Sequence, residues 1–135
     1  MALTDNLKFD KSGLIPAVIV CAKTGEVLVL CYMNNEALKK TLETGKVHLY
    51  RRSKGRLMLK GETSGHIQLV KEVLVDCEGN SLVVKVEQKV AACHAGYYSC
   101  YYRRLNPQTG ALEVVAQRVF DPEKVYRSAR RICES

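Results

Sequence analysis

Short apolar runs, each bounded by a glycine or a polar turn, are the feature that most limits how this chain can fold. Two such runs, Ile15–Ala22 and Val27–Tyr32, flank a polar turn that contains Gly25, and this pattern predicts a β-hairpin. Both runs are far shorter than the roughly 20 apolar residues that a membrane-spanning helix requires. The chain is therefore predicted to build a sheet from short strands and to have no membrane segment.

Helices are predicted at two places. Asn34 is a typical N-cap and Gly45 suits a C-terminal stop, which together predict a helix over residues 35–44. Asp121-Pro122 is a typical helix start, because aspartate caps the helix and proline fits its first position. The apolar positions of this last helix are predicted to be Val125, Ala129 and Ile132.

The remaining apolar runs predict further strands joined by turns. They cover Val47–Tyr50, Arg56–Lys60, Ile67–Val75, Ser81–Val90, Tyr98–Arg103 and Leu112–Phe120. Because no long crossover helix is predicted between strands, a mainly antiparallel sheet is expected. We therefore predict an α+β fold with two short helices, in a single domain over residues 1–135.

The net charge favours an anionic partner. The chain has 21 Lys and Arg residues against 14 Asp and Glu residues, a net charge of +7, which suits a nucleic acid, a phosphorylated metabolite or an anionic membrane surface. The basic residues are dispersed, without a basic tract or a helix-turn-helix pattern, which argues against nucleic acid. No signal peptide is visible at the N-terminus, so a cytoplasmic protein is expected.

Three of the six cysteines lie in polar, turn-like sequence. They are Cys77, Cys93 and Cys100, whereas Cys21 and Cys31 lie in apolar runs where free cysteine packs as a small hydrophobic residue. Three thiolates suit Zn²⁺, and three protein ligands leave a fourth tetrahedral position open, as in catalytic zinc sites. The spacing contains no Cys-x-x-Cys pair, so ordinary cysteines in turns are the alternative.

Oxygen-bearing side chains and a histidine accompany these cysteines. Asp76, Glu78 and Asn80 alternate along the chain, and alternate side chains of an extended segment point the same way, which predicts an Mg²⁺ site. A plain acidic turn is the alternative. His94 directly follows a candidate zinc ligand and is a candidate general base, with an ordinary surface histidine as the alternative.

Several of these stretches together resemble the phosphoribosyl-AMP cyclohydrolase family of histidine biosynthesis. The resemblance covers about residues 9–126 and rests above all on Lys60-Gly61-Glu62-Thr63-Ser64-Gly65-His66, Asp76-Cys77, Ala92-Cys93-His94 and Ser99-Cys100. It implies hydrolysis of the N1–C6 bond of the adenine ring of phosphoribosyl-AMP, a phosphorylated purine nucleotide. It also implies a homodimer that holds zinc between its chains, with Cys77 from one chain and Cys93 and Cys100 from the other.

The same resemblance implies roles for the other site residues. Mg²⁺ is expected at Asp76, Glu78 and Asn80, and His94 is expected to act as the general base. The expected substrate contacts are Arg52, Lys60, Ser64, His66 and Arg103.

Departures from the family pattern concern the Mg²⁺ site and the substrate. The usual acidic motif is Asp-Cys-Asp-x-Asp, whereas this chain has Glu78 and Asn80 and so lacks one formal negative charge. The family tends to carry tryptophan near Tyr50 and Met58, whereas this chain has no tryptophan, and Arg51 is a further substitution. Two alternatives therefore accompany the expected activity: hydrolysis of another purine nucleotide, and a non-catalytic, zinc-stabilised module that binds a nucleotide or nucleic acid.

Overall fold

A small mixed sheet with one covering helix forms the centre of the fold. The computed structural model describes residues 6–125, and in chain order its elements are β1 (Ile15–Cys21), β2 (Val27–Met33), α1 (Asn35–Thr44), β3 (His48–Arg51), β4 (Arg56–Leu59), β5 (Gln68–Val75), β6 (Leu82–Gln88), β7 (Arg103–Leu105) and β8 (Leu112–Val114). Four strands form the central sheet in the order β2-β1-β6-β5, and the pairs β3–β4 and β7–β8 are separate hairpins. The predicted α+β class is confirmed.

The central sheet contains one parallel pair. β1 pairs antiparallel with β2, and β5 pairs antiparallel with β6, as the predicted turns between them require. β1 and β6 run parallel and join the two hairpins into one sheet. Sequence reasoning missed this pair because it looked for one long crossover helix, whereas the crossover here consists of β2, α1, the β3–β4 hairpin and β5.

The core lies where the inward-facing side chains of the two central strands meet the helix. Ile15 and Ile19 of β1 and Val84 and Val86 of β6 are fully buried, and Leu38 of α1 packs into the same cluster. Complete burial of one such side chain contributes about 1.5–3 kcal/mol to stability. This cluster holds the sheet from which the site segments extend.

The caps of α1 follow the sequence prediction. The Asn34 side chain accepts a hydrogen bond from the Ala37 N–H at 2.7 Å, which satisfies a donor that the first helical turn leaves free. Gly45 ends the helix in the left-handed region, with φ of 74°, and its N–H donates to the Thr41 carbonyl. The predicted bounds, residues 35–44, are therefore confirmed.

Two predicted strands are wrong over most of their length. The strand predicted over Tyr98–Arg103 begins only at Arg103, and the strand predicted over Leu112–Phe120 ends at Val114. In the first segment the Ser99 hydroxyl donates to the Val27 carbonyl at 2.6 Å and accepts from the Tyr101 N–H at 2.9 Å. This side chain supplies the backbone partner that a strand ladder would have supplied, which the alternating pattern cannot reveal.

The last predicted helix begins where expected. Residues 122–125 are helical, directly after Asp121. Ala129 and Ile132, which were assigned to the same helix, lie outside the described residues. Within residues 6–125, no helix is both long and apolar enough to cross a bilayer.

Candidate functional site

A cavity of about 370 Å³ lies between the β3–β4 hairpin, the loop after β4 and the segment after β6. Four residues predicted for the site line it: Lys60, Ser64, His66 and His94. Its volume is in the range of pockets that hold small ligands. The structure thus brings together residues from two stretches that are well separated in the sequence.

Two predicted substrate contacts lie elsewhere. Arg52 and Arg103 are not among the described residues that line the cavity. The Arg52 guanidinium lies over the Tyr32 ring, 4.1 Å from its centroid, and that of Arg103 lies 5.4 Å from the centroid of the Tyr102 ring. Their role in substrate binding stays a prediction.

Gly61 determines the shape of the loop after β4. Its φ is +89°, and a Cβ atom at this position would lie 2.7 Å from the carbonyl carbon and oxygen of His66. Only glycine allows so close an approach in this conformation. The N–H of Gly65 donates to the Gly61 carbonyl at 2.7 Å, so the loop closes tightly and turns His66 into the protein.

The Nδ1 atom of His66 is buried and makes no hydrogen bond within residues 6–125. The His66 side chain meets the Phe120 ring edge to face at 4.8 Å, and the residue is 9% exposed. Burial lowers the pKa of His66 and the nearby Lys60 ammonium lowers it further. A hydrogen bond to the Ala91 backbone raises this pKa, but the net shift is downward and favours the neutral ring. A buried ring nitrogen without a partner on a cavity wall is suited to a hydrogen bond with a ligand.

Two long side chains connect the loop after β4 to the segment after β6. The Lys60 ammonium donates to the Ala92 carbonyl at 3.0 Å. The Gln88 amide donates to the carbonyls of His66 and Ala91, at 3.1 and 3.2 Å, and its oxygen accepts from the buried Gln68 amide at 2.7 Å. Both walls of the cavity are therefore held in place by hydrogen bonds within the chain.

The segment after β6 contains a strained residue. Val90 has φ of 58°, in the left-handed region, where a β-branched side chain is disfavoured. Such strain persists only where surrounding contacts impose it, and it is concentrated at functional sites. Here the hydrogen bonds of Gln88 to the Lys89 and Ala91 carbonyls enclose the strained residue, which lies three positions before Cys93.

Cys93 and Cys100 form a pair of thiols beside the cavity wall. Cys93 is buried and Cys100 is partly buried. Burial raises the pKa of Cys100 to about 11, and the adjacent Cys93 thiol, which hydrogen-bonds to it, contributes to this rise. The Cys93 sulfur also accepts the Ala95 N–H at 3.4 Å. Two thiols this close are a fitting donor set for a borderline-soft cation such as Zn²⁺, which needs further ligands to complete it.

The third predicted zinc ligand is not part of this pair. Cys77 is exposed in the turn between β5 and β6. Across residues 6–125, no group of three or more His, Cys, Asp or Glu side chains is arranged to hold a metal ion. One copy of the chain therefore brings together two of the three predicted zinc ligands.

The predicted Mg²⁺ ligands lie in that same exposed turn. The Asp76 carboxylate accepts the N–H groups of Asn80 and Ser81 at 2.8 and 3.0 Å, and the Asn80 amide donates to the Glu78 carboxylate at 3.2 Å. Desolvation acts to raise the pKa of Asp76, but the backbone hydrogen bonds together outweigh it and lower the pKa. The expectation of an extended segment is wrong, because residues 77–80 form a turn. It is the turn that brings Glu78 and Asn80 together.

Sequence reasoning missed two cationic residues of the cavity, Arg51 and Lys54. Alternation along β3 could have identified the first of them. Leu49 and Arg51 are two positions apart, share one face of the strand and both line the cavity, whereas Tyr50 does not.

Comparisons with known proteins agree with one another. The family model described as phosphoribosyl-AMP cyclohydrolase matches residues 29–102. The phosphoribosyl-AMP cyclohydrolase of Pelotomaculum thermopropionicum is 53% identical over 122 residues, which cover 90% of this chain and 94% of that protein. The phosphoribosyl-AMP cyclohydrolase of Methanothermobacter thermautotrophicus is 54% identical over 123 residues, 90% of this chain and 89% of that protein. The histidine biosynthesis bifunctional protein HisIE of Thermoanaerobacter pseudethanolicus is 51% identical over 122 residues, and the matching region spans 56% of its length.

Proposed function

The chain belongs to the phosphoribosyl-AMP cyclohydrolase family of histidine biosynthesis, and we propose that it hydrolyses the N1–C6 bond of the adenine ring of phosphoribosyl-AMP with zinc and magnesium as cofactors. The observation that carries the proposal is the identity of about half over 90% of the chain. It is supported by a thiol pair, Cys93 and Cys100, next to a cavity that His94 lines.

The zinc is proposed to lie between two copies of the chain. Cys93 and Cys100 would supply two ligands, and Cys77 of the partner subunit would supply the third. The exposure of Cys77 and the incomplete ligand set within residues 6–125 of one copy support this arrangement. The homodimer then completes the site, and a separated subunit would be inactive.

Zinc bound there would act as a Lewis acid that makes water nucleophilic near neutral pH. His94 is exposed on the cavity wall, directly after Cys93, and is proposed to accept a proton from the attacking water. The water oxygen forms a bond to C6 while the C6–N1 bond breaks; one water proton passes to N1 and the other to the exocyclic nitrogen on C6. C6 becomes the carbonyl carbon of a carboxamide, and N1 remains in the opened amidine.

The other cavity residues are proposed to position the nucleotide. The Nδ1 atom of the neutral His66 ring has no hydrogen-bond partner among the described residues, and Ser64 supplies a hydroxyl on the same wall. Mg²⁺ held by Asp76, Glu78 and Asn80 would offset phosphate charge, because hard cations prefer oxygen ligands. The net charge of +7 agrees with an anionic substrate.

An ultraviolet assay of ring opening tests the activity directly. Purified protein is incubated with phosphoribosyl-AMP, with and without added Mg²⁺, and the absorbance change of the opened ring is recorded. We expect turnover that depends on Mg²⁺ and on bound zinc. Failure to open the ring at any Mg²⁺ concentration, with zinc bound, would contradict the proposed substrate.

A mixing experiment tests the shared zinc site. The Cys77→Ser and Cys93→Ser proteins should each be inactive, but a mixed dimer contains one site with all three thiols. Unfolding and refolding an equal mixture should therefore restore about a quarter of wild-type activity and zinc content. Refolding each variant alone is the control. If the mixture stays inactive while wild type recovers, the ligands do not come from two chains.

A further inference from the structure

Two cationic side chains of the cavity have no anionic partner among residues 6–125. Arg51 and Lys54 both line it, and neither forms an ion pair with any residue in the described part of the chain. The carboxylate on this wall belongs to Glu62, and it pairs with Arg56 at 3.2 Å. Among residues 6–125, the positive charge of Arg51 and Lys54 is therefore not balanced by an ion pair.

The hairpin holds these two cations on one wall. Arg51 ends β3, and the Lys54 N–H donates to the Arg51 carbonyl at 3.1 Å, which closes the turn between β3 and β4. Gly55 completes the turn with φ of +59°, in the left-handed region. The third cation of the cavity, Lys60, is already hydrogen-bonded to the Ala92 carbonyl. Arg51 and Lys54 are thus free to bind a ligand from solvent.

A second feature of the cavity indicates a ligand as well. His66 lines the same cavity, and its buried Nδ1 atom lacks a hydrogen-bond partner among residues 6–125. Exposed cations on the hairpin and a buried, uncharged hydrogen-bonding atom in the loop after β4 match a molecule with an anionic end and a polar, uncharged body. A nucleotide has this form, because its phosphate is anionic and its base is not.

We propose that Arg51 and Lys54 bind a phosphate group of the nucleotide whose uncharged part hydrogen-bonds to His66 Nδ1. The assignment rests on the proposed function, and it adds the polarity of the substrate: phosphate toward the β3–β4 turn, the uncharged part toward the loop after β4. Guanidinium and ammonium groups both bind phosphate oxygens through charge-assisted hydrogen bonds.

Calorimetric binding of AMP and of adenosine tests the proposal without requiring turnover. Arg51→Ala and Lys54→Ala should each weaken AMP binding by roughly 10-fold or more, the usual effect of losing one charge-assisted contact. Both variants should bind adenosine as wild type does, because adenosine lacks the phosphate. Lys39→Ala is the matched control, since it removes one positive charge from the exposed face of α1 and should leave both affinities unchanged.

Kinetics separate this inference from the proposed function. In the ring-opening assay, Arg51→Ala should raise KM for phosphoribosyl-AMP roughly 10-fold with kcat within a few fold, and Arg51→Lys should restore part of the loss. AMP affinities of Arg51→Ala and Lys54→Ala within twofold of wild type would overturn the assignment. A loss of AMP binding in Arg52→Ala alone would also overturn it, by placing the phosphate on the Tyr32 side of the hairpin. If wild type binds AMP through Arg51 but opens no ring, the proposed function fails and the phosphate site stands.

Discussion

The cavity walls and the turn between β5 and β6 are built in opposite ways. The walls, residues 60–66 and 88–94, are connected by side chains that reach across the fold, such as Lys60 to the Ala92 carbonyl and Gln88 to the His66 carbonyl. The turn is exposed, and the Asp76 carboxylate holds its backbone locally. Hydrogen bonds within one chain are thus enough to hold the walls in position around a ligand. Local hydrogen bonds hold the backbone of the turn, and its exposed Cys77 thiol and side-chain oxygens can be reached by a ligand or by a second copy of the chain.

The largest expected effect comes from replacing a thiol of the cavity wall or of the β5–β6 turn. Cys93→Ser on the wall and Cys77→Ser in the turn should each remove bound zinc and lower turnover by roughly 10³-fold or more, because the nucleophile is lost with the metal. Metal analysis and the ring-opening assay measure the two effects. Cys21→Ser, in a strand of the central sheet, is the control and should retain zinc. Full zinc content in Cys77→Ser would exclude the turn from the metal site.

His94→Ala separates proton transfer from metal binding on the wall side. The variant should retain zinc and lose roughly 10²–10⁴ in kcat, the usual effect of removing a general base. Zinc analysis and kcat are measured on the same preparation. Activity within a few fold of wild type would mean that His94 is an ordinary surface histidine.

Asn80→Asp should strengthen Mg²⁺ binding by the turn between β5 and β6. It places a second carboxylate beside Glu78, where an amide now donates a hydrogen bond, and hard cations bind a carboxylate more strongly than an amide. The Mg²⁺ concentration for half-maximal turnover should fall by roughly 3- to 10-fold while zinc content stays constant.

Asn106→Asp is a matched control for this change. Asn106 lies in another turn, that of the β7–β8 hairpin, where its side-chain oxygen accepts two backbone N–H groups. This variant should leave the Mg²⁺ dependence unchanged. An equal response of the two variants, or no response of Asn80→Asp, would show that Asn80 does not bind Mg²⁺.

Val90→Gly should relieve strain in the wall. Glycine tolerates the left-handed conformation that valine is forced to adopt, so the free energy of unfolding should rise by up to about 1 kcal/mol, despite the greater freedom of glycine in the unfolded chain. Urea unfolding measures it. The neighbouring change Lys89→Gly should instead destabilise, because Lys89 has no positive φ to relieve. Destabilisation by both changes would show that Val90 is not strained.

The smallest expected effect is the pH dependence contributed by His66. The pKa of His66 is lowered in the folded protein, so the unfolded chain binds a proton more readily. Its contribution to stability is therefore complete above the ordinary histidine pKa of 6.5 and decreases as pH falls below that value. Urea unfolding at about pH 7.5 and about pH 5.5 should show a smaller difference for His66→Gln than for wild type. Identical differences would mean that the pKa of His66 is not lowered.

Features that depend on nearby residues could be predicted from the sequence. The cap of α1 at Asn34 and its end at Gly45 arise from hydrogen bonds within three or four residues, so the residue types alone indicate them. The β1–β2 and β5–β6 hairpins follow from short turns between apolar runs. The loop Lys60–His66 and the Cys93-His94 pair were recognisable as sequence patterns, and the structure brings members of both to one cavity.

Features that depend on distant contacts were decided by the tertiary structure. The parallel pairing of β1 with β6 brings together strands that five other elements separate along the chain, and no local pattern encodes such a choice. The same holds for Arg51 and Arg52. They are adjacent in sequence, but Arg51 lines the cavity whereas the Arg52 guanidinium lies over the Tyr32 ring. The residue types determine which chemical groups the chain offers. Long-range packing selects which of them meet, because burial of the core determines where each strand and turn must lie.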